Sequence, residues 1–124
     1  MTNSEWTALV KQAAANVADK AYQQRSWFGK GPEVSSPDEL FCSMFDDLDF
    51  DGYLSSDKVS LTPLQRDCGE RLRRAMNRYA ERTGTSLSPS DVINDPEWDE
   101  VRMAAAEFVR TLSLPHLVDN SPGK

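Results

Sequence analysis

Seven carboxylates and no Lys or Arg lie between Ser36 and Asp57: Asp38, Glu39, Asp46, Asp47, Asp49, Asp51 and Asp57. Acidic oxygens at that density suit a hard cation, a basic protein surface, or plain solvent. Asp47, Asp49 and Asp51, followed by Gly52, match the first half of an EF-hand calcium loop. In such a loop, oxygens at alternate positions face the ion and a glycine makes the sharp turn. Leu54 even supplies the apolar residue of the eighth position.

The second half of that loop departs from the pattern. Lys58 stands at the twelfth position, where two Glu oxygens belong, and Asp57 falls one place early. Thr62-Pro63 interrupts the exit segment, and Phe41 and Phe45 are out of phase with the aromatics of an entering helix. A degenerate EF-hand-like calcium binder is therefore the alternative reading, and no metal or cofactor is expected.

Four aspartates within six residues repel one another, and those just beyond a helix C-terminus meet the unfavourable end of its dipole. A positive surface would relieve that cost. It could belong to a basic partner protein, met by Glu39, Asp46, Asp47, Asp49, Asp51 and Asp57 with Tyr53 and, if exposed, Trp27 as desolvated anchors. It could equally belong to this chain's own Arg66, Arg71, Arg73, Arg74, Arg78 and Arg82, or the segment could be a solvated turn.

Other candidate chemistry is thin. Gly29-Lys30-Gly31 lacks the upstream glycine and the following Ser or Thr of a phosphate loop. His116, the one histidine, sits in an expected tail with no partner acid or nucleophile in prospect. Cys42 and Cys68 are too far apart for a zinc or redox motif and read as reduced, partly buried thiols. Paired carboxylates do acid–base work only where a desolvated pocket raises one pKa, which a polar turn rarely supplies. No enzyme is expected. Fourteen Lys and Arg against twenty Asp and Glu leave a net charge of −6, which argues against nucleic-acid binding.

The elements that must position these residues are punctuated by proline. Ser36-Pro37, Thr62-Pro63, Ser88-Pro89 and Asp95-Pro96 each place a capping residue before a proline at the first helical position. Thr62 with Gln65 and Ser36 with Glu39 also have capping-box spacing. Apolar periodicity predicts a long helix from about Ser4 to Tyr22, carrying Trp6, Leu9, Val10, Ala13, Val17 and Ala21. A short one follows from Pro37 to Asp46, then a long one from Pro63 to Arg82, stopped by Gly84, with Leu64, Cys68, Leu72, Ala75, Met76 and Tyr79 inward. A turn of helix at Pro89–Ile93 leads into a last helix from Pro96 to Leu112.

The expectation is an all-α, single-domain bundle of about four to five helices over 1–113, with a flexible tail over 114–124. A helical subunit of a larger assembly is a third possibility, and oligomeric state is open. No apolar run approaches the roughly 20 residues of a membrane span, and no signal segment opens the chain. A cytoplasmic protein is expected.

Tyr22-Gln23-Gln24-Arg25-Ser26-Trp27-Phe28-Gly29, with Ser36-Pro37-Asp38-Glu39-Leu40 and Phe45-Asp46-Asp47, resembles immunity proteins of bacterial toxin systems, notably contact-dependent growth inhibition. The resemblance covers about the middle third of the chain. It implies a cytoplasmic antidote that binds one cognate toxin domain, often a nuclease, and blocks its active site. No catalytic residues would transfer.

Overall fold

The computed structural model describes residues 1–84 and 87–113; the expected tail, with His116, lies outside them. The described residues form seven α-helices and a π-helical stretch, with no strand. These are α1 (Asn3–Ala18), α2 (Lys20–Trp27), α3 (Pro37–Phe41), the π-helical Cys42–Asp47, α4 (Phe50–Ser55), α5 (Pro63–Thr83), α6 (Pro89–Ile93) and α7 (Pro96–Leu112). The all-α class holds, and the helix count exceeds the expected four to five. No described helix is long and apolar enough to cross a membrane.

All four proline-marked starts are real, because each depends only on neighbouring residues. Thr62 and Gln65 form the full reciprocal box, and Asp95 accepts from the Glu97 amide at 2.9 Å. Ser36 accepts from the Glu39 amide at 3.1 Å, whereas the Ser88 side chain makes no cap bond. α7 is the spine, packed on α1 at one side and α5 at the other. Its Trp98, Val101, Ala105 and Phe108 are essentially inaccessible. Gly69 of α5 lets the Leu54 and Phe108 side chains pack close, since a Cβ there would stand 2.5 Å from Leu54 and 3.1 Å from Phe108.

Three expectations change. The first helix is two, because the chain breaks at Asp19 (φ −97°, ψ 94°), whose carboxylate caps α2 through the Tyr22 amide at 2.9 Å. Leu9 is 47 % exposed and Ala21 also faces out, because the buried stripe of α1 is Val10, Ala13, Ala14 and Val17. Leu64 is 51 % exposed because Gln65 turns inward in the same first turn and donates to the Thr111 carbonyl at 3.0 Å.

The break at Asp19 depends on a buried amide. Gln23 is wholly buried, and its Nε2 donates to the carbonyls of Asn16 (2.9 Å) and Val17 (2.7 Å), which the end of α1 leaves without helical partners. Its Oε1 accepts from the Trp98 indole at 3.1 Å and from Arg102 at 3.0 Å. Arg102, 6 % exposed, also bonds the Ile93 carbonyl and Asp99. Replacing Gln23 with Leu keeps the bulk but takes a hydrogen bond from all four partners, of which only Arg102 keeps others. Gln23→Leu is expected to cost about 3 kcal/mol in a urea unfolding curve.

Tyr79 is buried, and its hydroxyl donates to Asp95 at 2.9 Å. Burial first, and then that bond and the Asp95 charge, push its pKa up to about 12, against a pull downward from Arg82. The unfolded chain therefore releases this proton before the folded one does. The stabilisation is complete below pH 10 and lost as pH rises towards 12. Tyr79→Phe should flatten the fall in stability across that window, read by thermal melts at stepped alkaline pH.

Candidate interaction surface

The acidic stretch is built on a helix that changes register. α3 starts with Pro37 buried and Asp38 and Glu39 in its first turn, where carboxylates meet the favourable end of the dipole. At Cys42 it widens into π geometry, closed by the Leu48 amide on the Ser43 carbonyl at 3.1 Å. Leu40 and Met44 thereby face the core, and Phe41 and Phe45 lie stacked and half-buried with ring centroids 6.4 Å apart. Asp46 and Asp47 remain outside.

The next turn is made by Asp49, the one described non-glycine residue with positive φ (49°). Asp tolerates that left-handed conformation better than most residues do. Its carboxylate caps α4 by accepting from the Gly52 amide at 3.1 Å. Any Cβ on Gly52 would lie 2.2 Å from that carboxylate, so a larger residue there would displace the cap. The glycine that the sequence suggests as the bend of a calcium loop is thus inside a helix, under a cap. Because residues 50–55 are helical, Asp51 projects from another side of the chain than Asp49. Among the described residues no three His, Cys, Asp or Glu side chains converge as metal ligands.

α4 turns Phe50, Tyr53 and Leu54 into the core. The Trp6 indole N–H donates to the Leu48 carbonyl at 2.7 Å and meets the Tyr53 ring edge-on at 5.2 Å. The Tyr53 hydroxyl shares a 2.9 Å hydrogen bond with Thr7, and burial pushes its pKa up. Tyr53 is therefore a core residue and not an exposed anchor. Trp27 is corrected in the same way: it is buried, with its ring centroid 6.3 Å from that of Trp98. The helical spacing of Phe50, Tyr53 and Leu54 is the sequence signal that marks Tyr53 as internal.

The six candidate carboxylates Glu39, Asp46, Asp47, Asp49, Asp51 and Asp57 are all exposed, as is Asp38. Only Asp51 meets a cation among the described residues, at 3.9 Å from Arg73, whose closer partner is Glu70 at 2.9 Å. The remaining arginines of α5 are used elsewhere or point outward. Arg66 donates to the Leu54 carbonyl, and Arg82 pairs with Asp95 and Glu97 while lying over the Tyr79 ring. Arg71, Arg74 and Arg78 are exposed and make no ion pair among the described residues.

Sequence reasoning missed the residue at the centre of this patch. Both cysteines are free, but Cys68 is buried and Cys42 is exposed among the carboxylates. The thiol of Cys42 is held above its ordinary pKa, first by the helical surroundings that take water from it, then by Asp46, Asp47 and Asp38. The field of the three carboxylates therefore adds to the preference of this exposed thiol for its protonated form. Because the thiolate is the reactive form, Asp46→Asn with Asp47→Asn should speed iodoacetamide alkylation of Cys42 roughly three- to tenfold near neutral pH. An unchanged rate would show that the carboxylates do not act on it. Compared with family models, with curated proteins and with solved structures, the chain matches none.

Proposed function

We propose that this chain is a non-enzymatic binding protein whose acidic edge docks on a basic protein partner. In its sharper form it is an immunity protein that acts in the cytoplasm, neutralising a cognate bacterial toxin domain, such as a nuclease, by direct contact. The observation that carries this reading is that Asp38, Glu39, Asp46, Asp47, Asp49 and Asp57 are exposed with no cation of their own chain within 4.0 Å among the described residues. Like charges crowded on one edge cost stability, and docked Lys and Arg side chains remove that cost while steering the encounter.

A nuclease groove is lined with such cations, because it must neutralise phosphates. The acidic edge would compete for them. With Tyr53 and Trp27 in the core, apolar contact falls to the outer sides of Phe41, Phe45 and Leu48, each half-buried beside the carboxylates.

The test takes the product of the neighbouring reading frame as the candidate toxin, and spares Asp49 because it caps α4. Reversing Asp46, Asp47, Asp51 and Asp57 together to Lys should leave helicity intact. It should weaken binding at least about a hundredfold by calorimetry and abolish protection of cells that express the toxin. Wild-type affinity in the reversed variant would remove the acidic edge as the interface. A wild-type chain that neither binds nor protects would remove the immunity reading.

A further inference from the structure

The segment that follows α2 builds a second surface of opposite chemistry. α2 ends at Trp27, whose ring goes into the core, while the next residue, Phe28, leaves its ring 41 % exposed. Gly29 takes a φ of 68° and reverses the chain, so that the Lys30 amide donates to the Arg25 carbonyl at 2.9 Å. The reversal returns Lys30 to the last turn of α2, beside Arg25. α6, which packs against α2, supplies the opposite side through Ile93 and its cap residue Asn94.

Between them lies an open groove of about 580 Å³. Its apolar surface comes from Ala21, Phe28 and Ile93, and its polar groups are Arg25, Lys30 and the amides of Gln24 and Asn94. That volume falls within the roughly 300–1,000 Å³ of small-molecule sites, which likewise pair apolar walls with a few convergent polar groups. Neither cation is firmly held by the protein. Arg25 reaches Glu33 only at 4.0 Å with both side chains about half exposed, and Lys30 has no carboxylate within that distance among the described residues. None of the groove's residues belongs to the acidic edge.

We propose that this groove binds a small organic acid. Its aromatic or branched aliphatic body would rest on Phe28, Ala21 and Ile93, and its carboxylate would lie between Arg25 and Lys30. The charge of the whole molecule, −6, opposes such a ligand, so selection of an anion depends on these two local cations. Arg25 presents a planar fork that matches a carboxylate, and Lys30 adds a mobile point charge.

The test is an amide NMR titration with phenylbutyrate, set against phenylbutanol of the same shape. The acid should shift the amides from Gln24 to Lys30 and at Ile93 and Asn94 saturably, with a Kd on the order of 1 mM or below. The alcohol should bind at least about tenfold more weakly. Arg25→Gln combined with Lys30→Gln should bring the acid down to the alcohol's level, and Phe28→Ala should weaken both. All three positions are exposed or point to solvent, and circular dichroism checks that the variants keep their helices. Equal binding of acid and alcohol, shifts centred elsewhere, no saturable shift, or unaltered binding by the double variant would each overturn the proposal. So would a clear preference for an acetylated Asp-Phe dipeptide amide over the free acid, which would reassign the groove to a polypeptide partner.

Discussion

One buried side chain, Gln23, holds the bundle in its shape. Its amide nitrogen terminates α1 by taking the carbonyls of Asn16 and Val17, and its oxygen receives Trp98 and Arg102 of α7. A carboxamide is suited to that position because it donates and accepts at once without a charge to desolvate. It also lets Arg102 be buried, because the guanidinium finds Gln23, the Ile93 carbonyl and Asp99 around it. With these bonds the end of α1, the start of α6–α7 and the direction of α2 become one arrangement. The exit of Trp27 into the core and of Phe28 to the surface follows from the direction of α2.

The acidic edge depends on a second constraint, the close fit of Asp49 over Gly52. The cap starts α4, and α4 takes Phe50, Tyr53 and Leu54 inside. Burial of those three side chains offsets what the left-handed Asp49 and the repulsion among neighbouring carboxylates cost. The edge is therefore attached to the core by its apolar residues, while its carboxylates stay in water. The crowd of charges persists here because Leu40, Met44, Phe50, Tyr53 and Leu54, at helical spacing in the same segment, are anchored in the core.

What the sequence made legible was local. Pro after Ser36, Thr62, Ser88 and Asp95 marked four helix starts, because capping involves residues two or three apart. The break at Asp19 was not legible. Its determinant, Gln23, reads as one more polar residue on a helix, and its partners lie 75 and 79 positions away. α4 was hidden for another reason: six residues after a run of aspartates resemble a turn until burial of Phe50, Tyr53 and Leu54 is known. The acidic patch was visible by composition, and its exposure came from the fold. Tyr53 looks like an anchor because it is an aromatic among charges, although the helical spacing of its neighbours marks a core residue, and Trp27, an anchor only if exposed, is buried.

The disposition of the arginines explains why the acidic edge stays charged. α5 carries six of them and runs beside α4, so internal neutralisation would seem the natural outcome. Packing directs them otherwise. Arg66 donates to the Leu54 carbonyl near the end of α4, Arg73 lies nearer Glu70 than Asp51, and Arg82 locks the start of α7 through Asp95 and Glu97. Arg71, Arg74 and Arg78 are carried outward by the helical repeat, because Leu72, Met76 and Tyr79 take the inward positions. The acidic edge thus keeps most of its charge although arginines of the same chain are close by in α5. At physiological ionic strength, where fields fade within about 8 Å, an approaching molecule responds to the nearest surface rather than to the net charge.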